Sequence, residues 1–224
     1  MSSATVVPTD LRVIGNVHCT GTLKCDTASI TDAMCDTNME LGRGKITQTV
    51  LAKYPISLFS FRVHNDIESD LGGTPAADDL GIKGDTFGTN GPYLSAGDLK
   101  SAGATTRYAR TMFWLPAEYE DGQTVQISMH AGVLTTVADN SCTLDVECHK
   151  LDQDSTVSAD LCSTSAVSIN SLTFADRAFT ITEAGLVSGD MFDLRIAIAC
   201  NDAATSLTVE PIVGSCTVLC DIRG

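Results

Sequence analysis

Nine cysteines are the most reactive residues in this 224-residue chain, and nine is an odd number, so they cannot all pair with one another. A thiolate can bind a metal or act as a nucleophile, and a buried thiol can instead serve as a small apolar side chain. The spacing favours the last use. Cys142 and Cys148 alternate with Leu144 and Val146, Cys200 follows Ile196 and Ile198, and Cys216 and Cys220 flank Val218. In a strand each set lies on one face, where Val or Ala would fill a core. No C-x-x-C pair exists, and Cys148 and His149 are neighbours, which alternation sends to opposite faces. The Cys216-x-x-x-Cys220 gap suits a helix or loop better than a strand for holding one ion. Disulfides from Cys142 or Cys148 to another strand stay open as an option.

The other reactive residues are scattered. His18, His64, His130 and His149 form no H-E-x-x-H pair, and no G-x-S-x-G elbow is present. The glycine-rich stretch 71–91 lacks the G-K-[ST] of a phosphate loop, and Asp78, Asp79 and Asp85 would repel phosphate. Asp152-Gln153-Asp154-Ser155 offers oxygens for calcium without the glycine and distal glutamate of an EF-hand. A cupin-like metal enzyme would need clustered histidine and glutamate on facing strands, and His130 and His149 are single. No catalytic residue, metal or cofactor is therefore expected, and no enzyme.

With 28 acidic against 14 basic residues the net charge is -14. Such a surface repels phosphate backbones and anionic lipid, so neither nucleic acid nor membrane is an expected partner. No apolar run approaches the ~20 residues of a spanning helix. Residues 1–10 show no basic and apolar leader, so the chain reads as made and folded in a cytoplasm.

The elements that must position these residues are strands. From residue 11 to 25 every odd position is apolar or glycine: Leu11, Val13, Gly15, Val17, Cys19, Gly21, Leu23 and Cys25. Most even positions are polar, the alternation of a strand with one apolar edge. A six-residue spacing lies on top of it, through Gly15 and Gly21, Val17 and Leu23, and Cys19 and Cys25. A lone strand is not stable, so this row needs a partner, and the same row in identical subunits around a threefold axis serves every copy equally. Leu11, Val13, Val17, Cys19, Leu23, Cys25 and Ile30 are the expected oligomer interface. Residues 31–50 have no clean period and read as a linker, with a short helix around 29–35 as one option.

The rest of the chain has the grammar of a sandwich. Strands are expected at 56–63, 108–115, 123–130, 142–151, 172–182, 191–200, 207–213 and 216–222, joined by turns such as Asp121-Gly122 and Ser188-Gly189-Asp190. The interval 65–105, dense in Gly, Asp, Pro and Asn, reads as a long surface excursion. Asp70, Leu71, Asp79, Phe87 and Tyr93 are its candidate partner-binding residues. The expected fold is all-β: an antiparallel, jelly-roll-like β-sandwich over 51–224 behind an extended β arm over 1–50.

Two passages resemble virion proteins. Residues 11–30, LRVIGNVHCTGTLKCDTASI, are similar to the V-x-G-N-V-x-V-x-G-T-L segments of trimeric bacteriophage fibre, spike and decoration proteins. Residues 186–196 are similar to the G-L-x-x-G-D-x-x-x-x-R-I penultimate-strand text of viral jelly-roll accessory domains. The resemblance implies a homotrimeric capsid decoration, cement or head-fibre protein. Its partners would be itself and the major capsid protein or another virion protein, and its place would be the virion, assembled in host cytoplasm. The other reading is a tail-fibre or receptor-binding module for a host glycan or surface protein, with Tyr93, Trp114 and Tyr119 the aromatics that could stack on sugar.

Overall fold

The computed structural model describes residues 49–84, 86–152, 154–182 and 185–223. The arm, with its proposed interface from Leu11 to Ile30, lies outside the described residues. The alternating segments form the strands they spell. In β8 (Ser141–Lys150) the residues Cys142, Leu144, Val146 and Cys148 are buried. In β11 (Met191–Asn201) Leu194, Ile196, Ile198 and Cys200 take the same face, and in β12 (Pro211–Arg223) Cys216, Val218 and Cys220 do so. With them pack Ala109 and Phe113 of β6 (Thr105–Trp114), Val125, Ile127 and Met129 of β7 (Val125–Val133), and Phe179 of β10 (Ala175–Ile181). The six cysteines among the described residues are free thiols, five of them buried. Burial alone pushes the Cys216 thiol up to about 12, so it stays protonated and apolar.

The remaining strands are β1 (Thr49–Ile56), β2 (Arg62–Val63), β3 (Asp66–Asp70), β4 (Gly81–Lys83), β5 (Tyr93–Ser95) and β9 (Val167–Ser168). One sheet runs β10-β7-β12-β5-β4 with β1 also on β12, and the other runs β3-β2-β6-β11-β8-β9. Four antiparallel pairings are nested: β1 with β12, β6 with β11, β7 with β10, and β8 with β9. The described residues thus form one long hairpin rolled over itself, β1 against β12. Its eight strands divide as β1-β12-β7-β10 and β6-β11-β8-β9, which is the jelly-roll arrangement. All eight come from residues 49–223.

Three local expectations are corrected. The strand expected at 56–63 breaks after Ile56, because the Ser57 side chain accepts the Phe59 N–H at 3.3 Å and caps a 3₁₀ turn, Leu58–Ser60. The strands expected at 207–213 and 216–222 are one strand, β12, whose register shifts between Val213 and Ser215. Its first part pairs with β5 and the rest with β1 on the same edge. The excursion 65–105 is not an open loop. It supplies β3, β4 and β5, which extend both sheets at the link between β1 and β6. These strands of three to five residues are too short for periodicity, and they form because existing sheet edges offer partners. No helix among the described residues is long and apolar enough to cross a membrane.

Candidate functional site

The outward positions of β6, β11 and β8 carry charge where the inward ones carry the core. Register places Arg195 of β11 opposite Arg110 of β6 on one side and Glu147 of β8 on the other. Two arginines directly across a ladder repel, and each is relieved by its own carboxylate. Arg110 donates to both oxygens of Asp193, with Nε at 2.6 Å from Oδ1. Arg195 donates to Glu147 across the β11–β8 ladder. The hydrogen bond to Asp193 raises the Arg110 pKa against the pull of burial. The Arg195 guanidinium lies over the Tyr108 ring, 5.0 Å from its centroid, and the His64 ring meets the same tyrosine at 4.7 Å. His149 donates from Nδ1 to the Ser158 carbonyl at 3.0 Å. His64, Asn65, Arg110, Glu147, His149, Asp193 and Arg195 line a polar concavity of about 250 Å³.

This lattice presents fixed donors and acceptors. Glu147 and Asp193 are both engaged by guanidinium groups. Its first effect is to hold three neighbouring strands in register. Replacing Arg110 with Ala is expected to cost roughly 1–3 kcal/mol, because Asp193 is left as a nearly buried, unpaired carboxylate. Adding Asp193→Asn should recover part of that loss, so denaturant unfolding of the single and double variants checks the coupling. Losses that simply add would contradict it.

Histidine His64 sits at the turn between β2 and β3 and is buried. Its Nδ1 donates to Asp79 Oδ1 at 2.8 Å, its backbone N–H reaches the same oxygen at 3.3 Å, and its Nε2 faces Asp78 Oδ2 at 3.6 Å. A separate apolar groove of about 330 Å³ runs along Tyr54, Ile56, Met112, Trp114 and Val218. Trp114 stands 66 % exposed beside it.

The expected partner-binding residues do not share one open surface. Asp70 is paired with Arg62, Leu71 is buried in the core, and Asp79 is turned onto His64. Tyr93 is half-buried on β5, and Phe87 is fully exposed at a tip with Phe59 nearby across a groove. Of the aromatics considered for sugar stacking, Tyr119 is buried and hydrogen-bonds the Gln123 carbonyl, so only Trp114 and Tyr93 reach the surface. His130 pairs with Asp176 at 2.7 Å on the sheet opposite to His149, so the two histidines do not cluster. Asp154 accepts the Thr156 hydroxyl at 2.6 Å and its N–H at 3.0 Å, contacts that hold its pKa below the usual value in an exposed turn. The arginine–carboxylate lattice was missed from sequence. Its only signal was the charged alternate positions of 145–149 and 193–195, which cannot show which strands lie side by side.

The fold and this surface define an antiparallel β-sandwich of jelly-roll order with a charged outer face. No family model and no curated protein matches the chain. Among solved structures it is similar to an arabinose-bound α-L-arabinofuranosidase, at 10 % identity and TM-score 0.34, over 76 % of this chain and 23 % of that one. It is also similar to the enzymatically active domain of tailspike protein 4 of bacteriophage CBA120, at 9 % identity and TM-score 0.28, over 79 % and 19 %. A third is a structure of infectious bursal disease virus, Gx strain, at 10 % identity and TM-score 0.24, over 84 % and 54 %. The chain spans less than two thirds of each of these structures, and at such scores the likenesses carry no argument for a function. They do correct one expectation. Two of these relatives in shape are named as a glycosidase and as an enzymatically active domain, so the chain is not classed as a non-enzyme.

Proposed function

We propose that this chain is a structural subunit of a virion, a homotrimeric capsid decoration, cement or head-fibre protein that attaches to a capsid lattice and reinforces it. One observation carries this reading. The jelly roll draws all eight of its strands from residues 49–223, so it requires none from residues 1–48. The alternating apolar row from Leu11 to Cys25 is then surplus to the roll, and identical rows from two further copies are partners of matching shape and chemistry. The similarity of residues 11–30 and 186–196 to virion accessory proteins points the same way, with the major capsid protein as the second partner. A fold of this kind serves many functions, so the arm rather than the roll supports the assignment.

Deleting residues 1–30 tests it. The truncated chain is expected to keep its β-sheet circular dichroism and to lose binding to capsids prepared without the protein. Full capsid binding by the truncated chain would overturn the reading. A receptor-binding module is favoured by one feature, the exposed Trp114 beside its apolar groove. Under that reading the same deletion leaves glycan or receptor binding intact, and Trp114→Ala removes it.

A further inference from the structure

We propose that His64, Asp78 and Asp79 form a binding site for a first-row divalent cation, with zinc the best fit. Each residue offers one ligand atom, and the three atoms lie within 4.8 Å of one another. They come from two separate stretches of chain, the β2–β3 turn and the loop ahead of β4, so the grouping is not a run of neighbouring acids.

The geometry is held from several sides. The segment carrying the aspartates is laid beside β6: Tyr108 N–H donates to the Asp78 carbonyl at 2.7 Å, and Leu80 N–H donates to the Tyr108 carbonyl at 2.7 Å. The Tyr108 ring supports the imidazole at 4.7 Å. Asp79 accepts the Nδ1 proton, and Nε2 is the ring nitrogen on the Asp78 side. A carboxylate behind a metal-bound histidine is the usual arrangement for orienting it. Nε2 faces Asp78 Oδ2 at 3.6 Å. Two ligands each ~2.1 Å from zinc at a tetrahedral angle are about 3.4 Å apart.

The second observation is the setting. The His64 side chain is only 5 % exposed, yet it forms one wall of the polar concavity of about 250 Å³. The arginines nearby are already neutralised, Arg110 by Asp193 and Arg195 by Glu147, and leave the two aspartates facing His64. An imidazole and the Asp78 carboxylate as ligands, with Asp79 behind the ring, suit zinc over calcium or magnesium, which prefer all-oxygen shells. A bound ion would clasp the β2–β3 turn to the loop ahead of β4, above the central sheet.

Isothermal titration of the intact chain with zinc chloride tests the site. Replacing His64 risks the fold, so Asp78→Asn, whose side chain is 56 % exposed, carries the comparison. The intact chain is expected to bind zinc and to melt at a higher temperature with zinc than with a chelator. Asp78→Asn should match it in circular dichroism without metal, and bind zinc at least roughly tenfold more weakly. Exposed Glu68 on β3 provides the control, and Glu68→Gln should bind as the intact chain does. Cobalt in place of zinc should give d–d bands that Asp78→Asn diminishes. Equal weakening by both variants, equal affinity for calcium, or zinc binding that Asp78→Asn leaves unchanged would each overturn the site, the last assigning the zinc to the thiols.

Discussion

Replacing Phe192 with Ala is expected to destabilise the jelly roll by about 3–5 kcal/mol, a large share of the ~5–15 kcal/mol that holds a domain together. Phe192 is fully buried on β11, between β6 and β8, and stacks on Phe113 with ring centroids 5.0 Å apart. The chain has few aromatics, only 5 % of its residues, so this pair contributes much of the large apolar volume in its layer. The other inward residues are mainly Val, Ile, Leu, Ala and Cys. Branched side chains on a ladder cannot swing into a void left by a phenyl ring, and the cavity term stays unrelieved. At about 2–4 °C per kcal/mol for a domain of this size, the melting temperature should fall by roughly 10 °C. Phe59→Ala is the comparison: Phe59 is 67 % exposed, and its loss should stay within about 0.5 kcal/mol. Denaturant unfolding of both variants checks the difference. Equal losses would mean that the stacked pair is not central to the core.

The second large effect is expected in the proposed trimer. Val17 and Leu23 sit six residues apart in the apolar row, so a threefold assembly brings three copies of each together. Val17→Asp with Leu23→Asp would place six carboxylates along the axis. Each buried, unpaired charge costs several kcal/mol, far beyond what packing of one short strand returns. The double variant is expected to be monomeric at concentrations where the parent is trimeric. Its β-sheet signal should be unchanged, because the roll closes from residues 49–223. Sedimentation velocity separates the two states, and a double variant that remained trimeric would remove the row from the interface.

Much of the roll was legible because its central strands are half-buried and alternate cleanly. Cys142-Thr143-Leu144-Asp145-Val146-Glu147-Cys148 spells both faces of β8, and Asp121-Gly122 and Ser188-Gly189-Asp190 mark turns, with Gly122 and Gly189 at φ +77° and +85°. The cysteines of β8, β11 and β12 were placed correctly by the same alternation. The passage similar to a penultimate strand falls on β11, which is the penultimate strand. What the sequence left hidden depends on partners distant in the chain. Gly81-Ile82-Lys83 is a strand only because Tyr93-Leu94-Ser95 lies beside it, and that strand only because β12 lies beside it in turn. Ser57 ended β1 through a single side-chain bond that no periodicity records.

The candidate site was harder still. Asp79 was recognised as notable, but as part of an open loop; burial turned it inward onto His64, fifteen residues away. Arg110 and Asp193 are eighty-three residues apart and meet only through the β6–β11 register. Charge patterning showed that these residues face outward and could not show which of them touch.

Light scattering of the intact chain in solution, coupled to size-exclusion chromatography, bears most directly on the proposed assembly. A single peak at three times the 23.6 kDa chain mass is expected. A peak at the chain mass itself, unchanged as concentration rises, would contradict the trimer and the role given to the arm.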